Sequence, residues 1–201
     1  MGTEASGGSA PAKDSEQQPQ GGIAGSLLQR VMGAQRSGGG ETAPIKAGVG
    51  AVYYSPWQNL EAIDYGAIVQ SRCNHLDIAA YAFTDSKLAE AVVAFAQSGR
   101  PVRIYRDREQ FEQEQKRNTR VSDMLGAMPN ISVRVKASSV LMHQKAWSDG
   151  CILREGSANW SPSGEKQQDN TLTLLNDSVS IGNFEAAFEA MWNRPDNLVI
   201  Q

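Results

Sequence analysis

His143 and Lys145 stand one residue apart in "MHQKAWSDG", and "GSAN" follows from Gly156 to Asn159. In an extended strand, side chains two apart share a face, so His143 and Lys145 point the same way while Gln144 and Ala146 point the other. Asp149-Gly150 is a favoured pair for a two-residue type I′ turn, in which both central residues need positive φ. Such a turn opposes Ser148 with Cys151 and His143 with Gly156, which brings Ser157 and Asn159 beside the imidazole. At neutral pH and without a metal, a neutral imidazole is a nucleophile or general base, Lys145 offers cationic donors, and Ser157 and Asn159 add neutral ones. That set suits an anion with several oxygens. A phosphodiester fits best, because histidine can carry a phosphoryl group while lysine and amide donors stabilise charge on the non-bridging oxygens.

His143-x-Lys145, an aspartate, and then Gly156-Ser157-x-Asn159 together resemble the HxK(x)4D(x)6GSxN signature of the phospholipase D superfamily, and more narrowly its small bacterial nucleases with one motif per chain. The likeness runs from about Ala51 to the C-terminus and takes in "VYYSP", "IAAYAFT" and "DNTLTLL". The double motif is specific, whereas an HxK alone carries little. The resemblance implies a phosphodiesterase in which His143 attacks phosphorus while Lys145, Ser157 and Asn159 hold phosphate oxygens. It also implies that two motifs face each other, with one histidine as nucleophile and the other as general acid. A chain with one motif then needs a homodimer to build a complete site at its two-fold axis. The resemblance places Asp169 of "QQDN" where an acid would bond the far nitrogen of His143 and fix its tautomer. Only three residues separate Lys145 from Asp149 where the signature has four, so Asp149 is read mainly as a turn residue.

The elements that must hold these groups alternate between strand and helix signals, as expected of an α/β domain with a mixed sheet flanked by helices on both faces. Strands are expected at "GAVYYS", "HLDIAAYAF", "PVRIYR", "ISVRVK", "HQKAWS", "CILRE" and "NTLTLLN". Helices are expected at "NLEAIDYGAIVQSR", at "SKLAEAVVAFAQSG" with Ser86 as N-cap and Gly99 as C-cap, between about Arg108 and Ala127, and around "FEAAFEAMWNR". Residues 1–46 are rich in Gly, Ser, Ala, Gln and Pro and read as a flexible low-complexity tail, with a possible short helix at "IAGSLLQRVMGAQR". The catalytic domain is expected over 47–201.

Hydrophobic content of 40% with 20% charged residues is ordinary for a soluble domain, and no apolar run is long enough to span a membrane. A net charge of -3 gives no global pull toward nucleic acid, so any such argument is local. Between Arg100 and Lys136, nine Lys or Arg face five acids, about +4, read either as a basic surface beside the site or as a solvated helix of mixed charge. Trp147 and Trp160 flank the motif and could stack a base or sugar, or pack as core at a dimer seam. His75 opens an apolar strand without an HxK partner and is read as a strand-end residue. Cys73 and Cys151 lack metal-ligand spacing and are expected to be free and partly buried; a disulfide in an exported form stays open, because the sequence does not give their separation. The N-terminus lacks a secretory signal pattern, leaving a cytoplasmic protein or one whose leader was removed. Small size, one motif and the basic segment favour DNA or RNA over phospholipid as substrate, with no cofactor and no metal. The alternatives are a phospholipid or cardiolipin hydrolase, in which "IAGSLLQRVMGAQR" could make peripheral lipid contact, and an idle nucleic-acid-binding dimer.

Overall fold

Eight strands form one mixed sheet in the order β1-β7-β6-β5-β2-β3-β4-β8 in a computed structural model, which describes residues 1–2, 50–117 and 120–201. The expected tail falls outside the described residues. The strands are β1 (Ala51–Ser55), β2 (Leu76–Ala80), β3 (Val102–Arg106), β4 (Ile131–Val135), β5 (Lys145–Ser148), β6 (Leu153–Gly156), β7 (Asn170–Leu175) and β8 (Leu198–Val199). β2, β3 and β4 run parallel, and every other neighbouring pair is antiparallel. The helices are α1 (Leu60–Gln70), α2 (Ser86–Gln97), α3 (Arg108–Lys116), α4 (Arg120–Gly126), α5 (Pro162–Lys166) and α6 (Ser178–Trp192). Sequence periodicity does not reveal α5 or β8, because five and two residues are too few to show a period. The single helix expected over 108–127 is two, α3 and α4.

Side-chain caps start the helices where a short acceptor meets a free backbone N–H. Asn59, Asp85, Asp107, Ser161 and Asp177 each accept from an amide two or three residues on. The cap of α2 is therefore Asp85, one residue before the expected Ser86, because the carboxylate reaches two amides, those of Lys87 and Leu88.

The period-2 alternation of β2 feeds two cores. Leu76, Ile78 and Ala80 pack with Leu60, Leu88, Val92 and Phe95 of α1 and α2, whereas Ala79 turns to Tyr105, Phe184, Phe188 and Trp192 under α6. Helices thus cover both faces, and α6 lies across β2, β5 and β6.

Two expectations are corrected at the β5–β6 hairpin. Its loop has four residues, with Ser148 opposite Leu153 and Trp147 opposite Arg154. Gly150 takes a positive φ, 86°. The buried carboxylate of Asp149 takes over the role of a tight turn: it accepts from the amides of Cys151 (2.9 Å) and Ile152 (2.8 Å) and from the hydroxyl of Ser71 (2.6 Å). A two-residue shift of register leaves the side chains of both strands on their faces, where a one-residue slip would have reversed them, and β5 begins at Lys145, so that His143 lies just before the strand. The second correction concerns the cysteines, which are not free. Cys73 and Cys151 form a disulfide with Cα atoms 6.3 Å apart, tying the α1–β2 loop to the hairpin tip.

That bond spans a sequence separation of 78 residues. The Cys73→Ser/Cys151→Ser protein is expected to lose about 2–4 kcal/mol of urea-unfolding free energy through the restored freedom of the unfolded chain. Unchanged stability in the double variant would contradict a structural role.

Candidate active site

The carboxyl end of β2 meets the start of β5, with Ala80 opposite Lys145 and the amide of Tyr81 donating to the carbonyl of Gln144 at 2.9 Å. The segment entering β5 is held by the amide of Met142, which donates to the Asp107 carboxylate at 2.9 Å. This leaves His143 exposed and Lys145 only 7% exposed. The Lys145 ammonium donates to the carbonyl of His143 at 2.8 Å and lies 4.9 Å from the centre of the Tyr81 ring. Burial first, and the charge of Arg154 second, hold its pKa below the usual lysine value. The Tyr81 ring meets His143 edge-on, with centroids 4.5 Å apart, and its hydroxyl accepts from Gln110 at 3.1 Å. Tyr81 therefore fixes both motif side chains. Its sequence signal was its place one residue beyond a strand end, legible only once β2 is known to pair with β5.

The second half of the motif follows β6. A Cβ on Gly156 would collide with the carbonyl oxygen of Thr171, so only glycine lets β7 approach there. Ser157 is tied to β7: its hydroxyl donates to Asn170 Oδ1 at 2.8 Å and accepts from the amide of Thr171 at 3.0 Å. Asn159 is half-buried, and its Oδ1 is buried without a hydrogen-bond partner, leaving an amide that the fold itself does not use. Asp169, one residue before β7, is exposed and makes no hydrogen bond to His143 among the described residues.

Trp147 and Trp160 do not present stacking surfaces. Both are buried in the α1–α2 core; Trp147 donates its indole N–H to Asp64 at 2.8 Å, and Trp160 packs edge-on against Phe83 at 4.7 Å. Their flat area is spent inside the chain. His75 lies at the strand end beside Asp77 and Glu185, with Nε2 3.4 Å from the Glu185 carboxylate.

Beneath the motif lies a buried ionic network that sequence reasoning missed. Arg154 of β6, fully buried, pairs with Asp64 of α1 at 3.0 Å and Glu165 of α5 at 3.1 Å, both also fully buried. One guanidinium faces two carboxylates, so one negative charge has no full counter-charge. Burial first, then the Asp64 charge, push the Glu165 carboxyl up to about 9, and burial also raises Asp64. Asp85 nearby is raised to about 6 by burial and by the neighbouring Glu61.

Four of the nine cations between Arg100 and Lys136 are engaged within the fold. Arg100 caps the carbonyls of Ser71 and Cys73 at the opposite sheet end; Arg103 binds Asp77 and Glu189; Arg106 is buried against Glu114. Arg134 donates to the carbonyl of Trp192. Arg108 and Lys136 remain beside the site, donating to the carbonyls of Ala137 and Leu141 in the segment leading to His143. A groove of about 470 Å3 opens next to that segment, lined by His143, Lys145, Glu155 and Gly156 on the sheet side and by Ser180 and Phe184 of α6.

A family profile described as "Cardiolipin synthase, PLD-like domain" matches residues 66–192. The chain belongs to the phospholipase D superfamily. It is similar to mitochondrial cardiolipin hydrolases, 28% identical over 142 residues to that of Chlamydomonas reinhardtii and 25% over 122 to that of Xenopus tropicalis. Those alignments span 70% and 60% of this chain but only 60% and 56% of the relatives. Among solved structures, NucT from Helicobacter pylori superposes with a TM-score of 0.63 at 24% identity, covering 76% of this chain and 99% of that one. Nuc from Salmonella typhimurium, a phospholipase D family member, gives 0.65 at 20% identity, covering 76% and 98%. The phospholipase D fold thus accounts for the sheet and its helices. Among the described residues, no helix is long and apolar enough to cross a membrane.

The raised Glu165 carboxyl sets a pH dependence of stability. Its folded value lies above its ordinary one, so the folded state holds the proton more tightly; the contribution is full below the ordinary carboxylate range and is lost as pH rises to about 9. Urea midpoints should therefore fall as pH rises across that window, and Glu165→Gln, which keeps the neutral form, should flatten the decline. An equally steep decline in Glu165→Gln would show that the proton sits elsewhere.

Proposed function

We propose that this chain is a metal-independent, non-specific endonuclease acting on DNA or RNA through a phosphohistidine at His143, in a site shared by two chains. In the first step a neutral imidazole nitrogen of His143 forms a bond to phosphorus, the bond to the leaving oxygen breaks, and that oxygen takes a proton from the second chain's imidazolium. Water then attacks phosphorus, gives its proton to the second imidazole, and releases His143. Lys145 and the Asn159 amide hold the non-bridging oxygens, Ser157 assists through the same loop, and Asp169 orients an imidazole once the site is assembled.

The observation that carries this reading is the placement of one exposed imidazole above one nearly buried ammonium, with a single such pair in the chain. An exposed nucleophile suits a large polymeric substrate, and exposed Arg108 and half-buried Lys136 beside the entry to β5 suit a phosphate backbone. The likeness to NucT and Nuc over nearly their whole length supports the same choice. One observation favours a second reading, phospholipid hydrolysis: Val140 and Leu141, 70% and 50% exposed, stand just before His143. The names of the curated relatives point the same way.

The test is cleavage of single-stranded DNA, duplex DNA, RNA and cardiolipin vesicles in excess EDTA. Nucleic-acid cleavage that survives EDTA and falls at least about a hundredfold in His143→Ala is expected; a strict need for Mg2+ would refute the phosphohistidine route. Vesicle hydrolysis alone would transfer the proposal to the second reading. Lys145→Ala and Asn159→Ala should each lose about a hundredfold in kcat while unfolding like the wild type. Sedimentation equilibrium should find a dimer whose activity disappears on dilution to monomer; an active monomer would overturn the shared site.

A further inference from the structure

The ladder between β5 and β6 holds only two residue pairs, Ser148–Leu153 and Trp147–Arg154, and stops before it reaches the motif. Beyond that point no pairing of these strands sets the distance between the Lys145 backbone and the loop that carries Ser157 and Asn159. Among the described residues, the side chain of Arg154 spans the opening. Arg154 Nη1 donates to the carbonyl of Lys145 at 2.6 Å, and both terminal nitrogens reach the carbonyl of Ala158 at 3.4 Å. The remaining donors are bound from behind: Nε lies 3.0 Å from Asp64 Oδ2, and Nη2 lies 3.0 Å from the same oxygen and 3.1 Å from Glu165 Oε1. Asp64 in turn accepts the indole N–H of Trp147, two residues beyond Lys145 on the same strand face.

We propose that Arg154 is a positioning residue for the phosphodiesterase site, its buried guanidinium holding the Lys145 and Ala158 carbonyls together and so setting the ammonium of Lys145 against the amide of Asn159. It never touches substrate. Stability is a poor reason for such a group, since a buried ion triad recovers little more than its own desolvation cost and an apolar set of the same volume often does as well. What an apolar side chain at position 154 could not do is donate to two carbonyls on separate segments. The planar fork of arginine is suited to that task, whereas a lysine there would offer one point of attachment. The depressed pKa of Lys145, to which the Arg154 charge contributes, is the electrostatic trace of the same proximity.

The inference rests on the reading of His143 and Lys145 as reacting groups, and the test separates the two. The probe is bis(p-nitrophenyl) phosphate, a small phosphodiester indifferent to the choice between nucleic acid and lipid, with the full-length chain. The decisive variant is Asp64→Asn/Arg154→Met/Glu165→Gln, which removes the guanidinium without stranding a buried carboxylate. It should keep the wild-type thermal midpoint to within a few degrees while kcat falls about a hundredfold and KM stays within about twofold. Arg154→Lys, which keeps the charge, should lose nearly as much kcat and provides the reading should the triple variant fail to fold. Independently of turnover, the Lys145 ε-carbon, followed by NMR in selectively labelled protein, should titrate at higher pH in the triple variant. Wild-type kcat in folded triple and lysine variants, with the Lys145 titration unmoved, overturns the role of Arg154. If His143→Ala turns over like the wild type, the reading of the site falls instead, and the Lys145 titration still decides whether Arg154 acts on that ammonium.

Discussion

The antiparallel pairing of β5 against β2 is the constraint on which the rest of the site depends. β2, near the middle of the sheet, has the parallel strand β3 on one side and the antiparallel strand β5 on the other. Its carboxyl end, the usual location of ligand chemistry in α/β sheets, therefore meets the beginning of a strand rather than another end. Placing Ala80 opposite Lys145 puts Tyr81 against both motif side chains and forces their different environments, His143 in solvent and Lys145 beneath it. A reversed or displaced β5 would lose all three relations at once.

The short β5–β6 hairpin is then secured at its two ends by unlike means. At the tip, the Cys73–Cys151 disulfide and the Ser71–Asp149 hydrogen bond tie it to the α1–β2 loop. At the open end, Arg154 binds carbonyls from both sides of the gap. Two ladder pairs alone would leave such a hairpin marginal, since isolated two-stranded elements have little stability of their own. The neighbouring strands β2 and β7 supply the rest of the ladder, so the splayed end can remain open without fraying.

Burying Arg154 has an electrostatic consequence for the two helices, α1 and α5, that bring carboxylates against it. One cation cannot neutralise Asp64 and Glu165 together, and a second buried carboxylate in a medium of low polarity is most cheaply carried as the neutral acid. Glu165 takes that role, which agrees with its Oε2 having no acceptor or donor partner nearby. The interior beneath the motif thus holds a proton well above the pH at which an exposed glutamate would release it.

The residue types and spacing of the motif were legible in the sequence, because they are local: His143 and Lys145 lie two apart, although β5 begins only at Lys145 and leaves His143 just before the strand. Most strands and the long helices were legible for the same reason, each carrying its own period and caps. What the chain alone did not disclose depends on contacts between distant segments. Arg154 reads as an ordinary strand charge until α1 brings Asp64, 90 residues earlier, against it. Trp147 and Trp160 read equally as stacking or core residues until α1 and α2 cover them, and the basic run from Arg100 to Lys136 reads as a surface until Arg103, Arg106 and Arg134 on β3 and β4 find partners within the fold. Cys73 and Cys151 become partners only when the hairpin tip meets the α1–β2 loop. Side-chain type and short-range spacing thus determined which chemistry the chain can perform, and only the tertiary structure decided which charges remain available to perform it, since burial and pairing are set by the segments that close over a residue rather than by its neighbours in the chain.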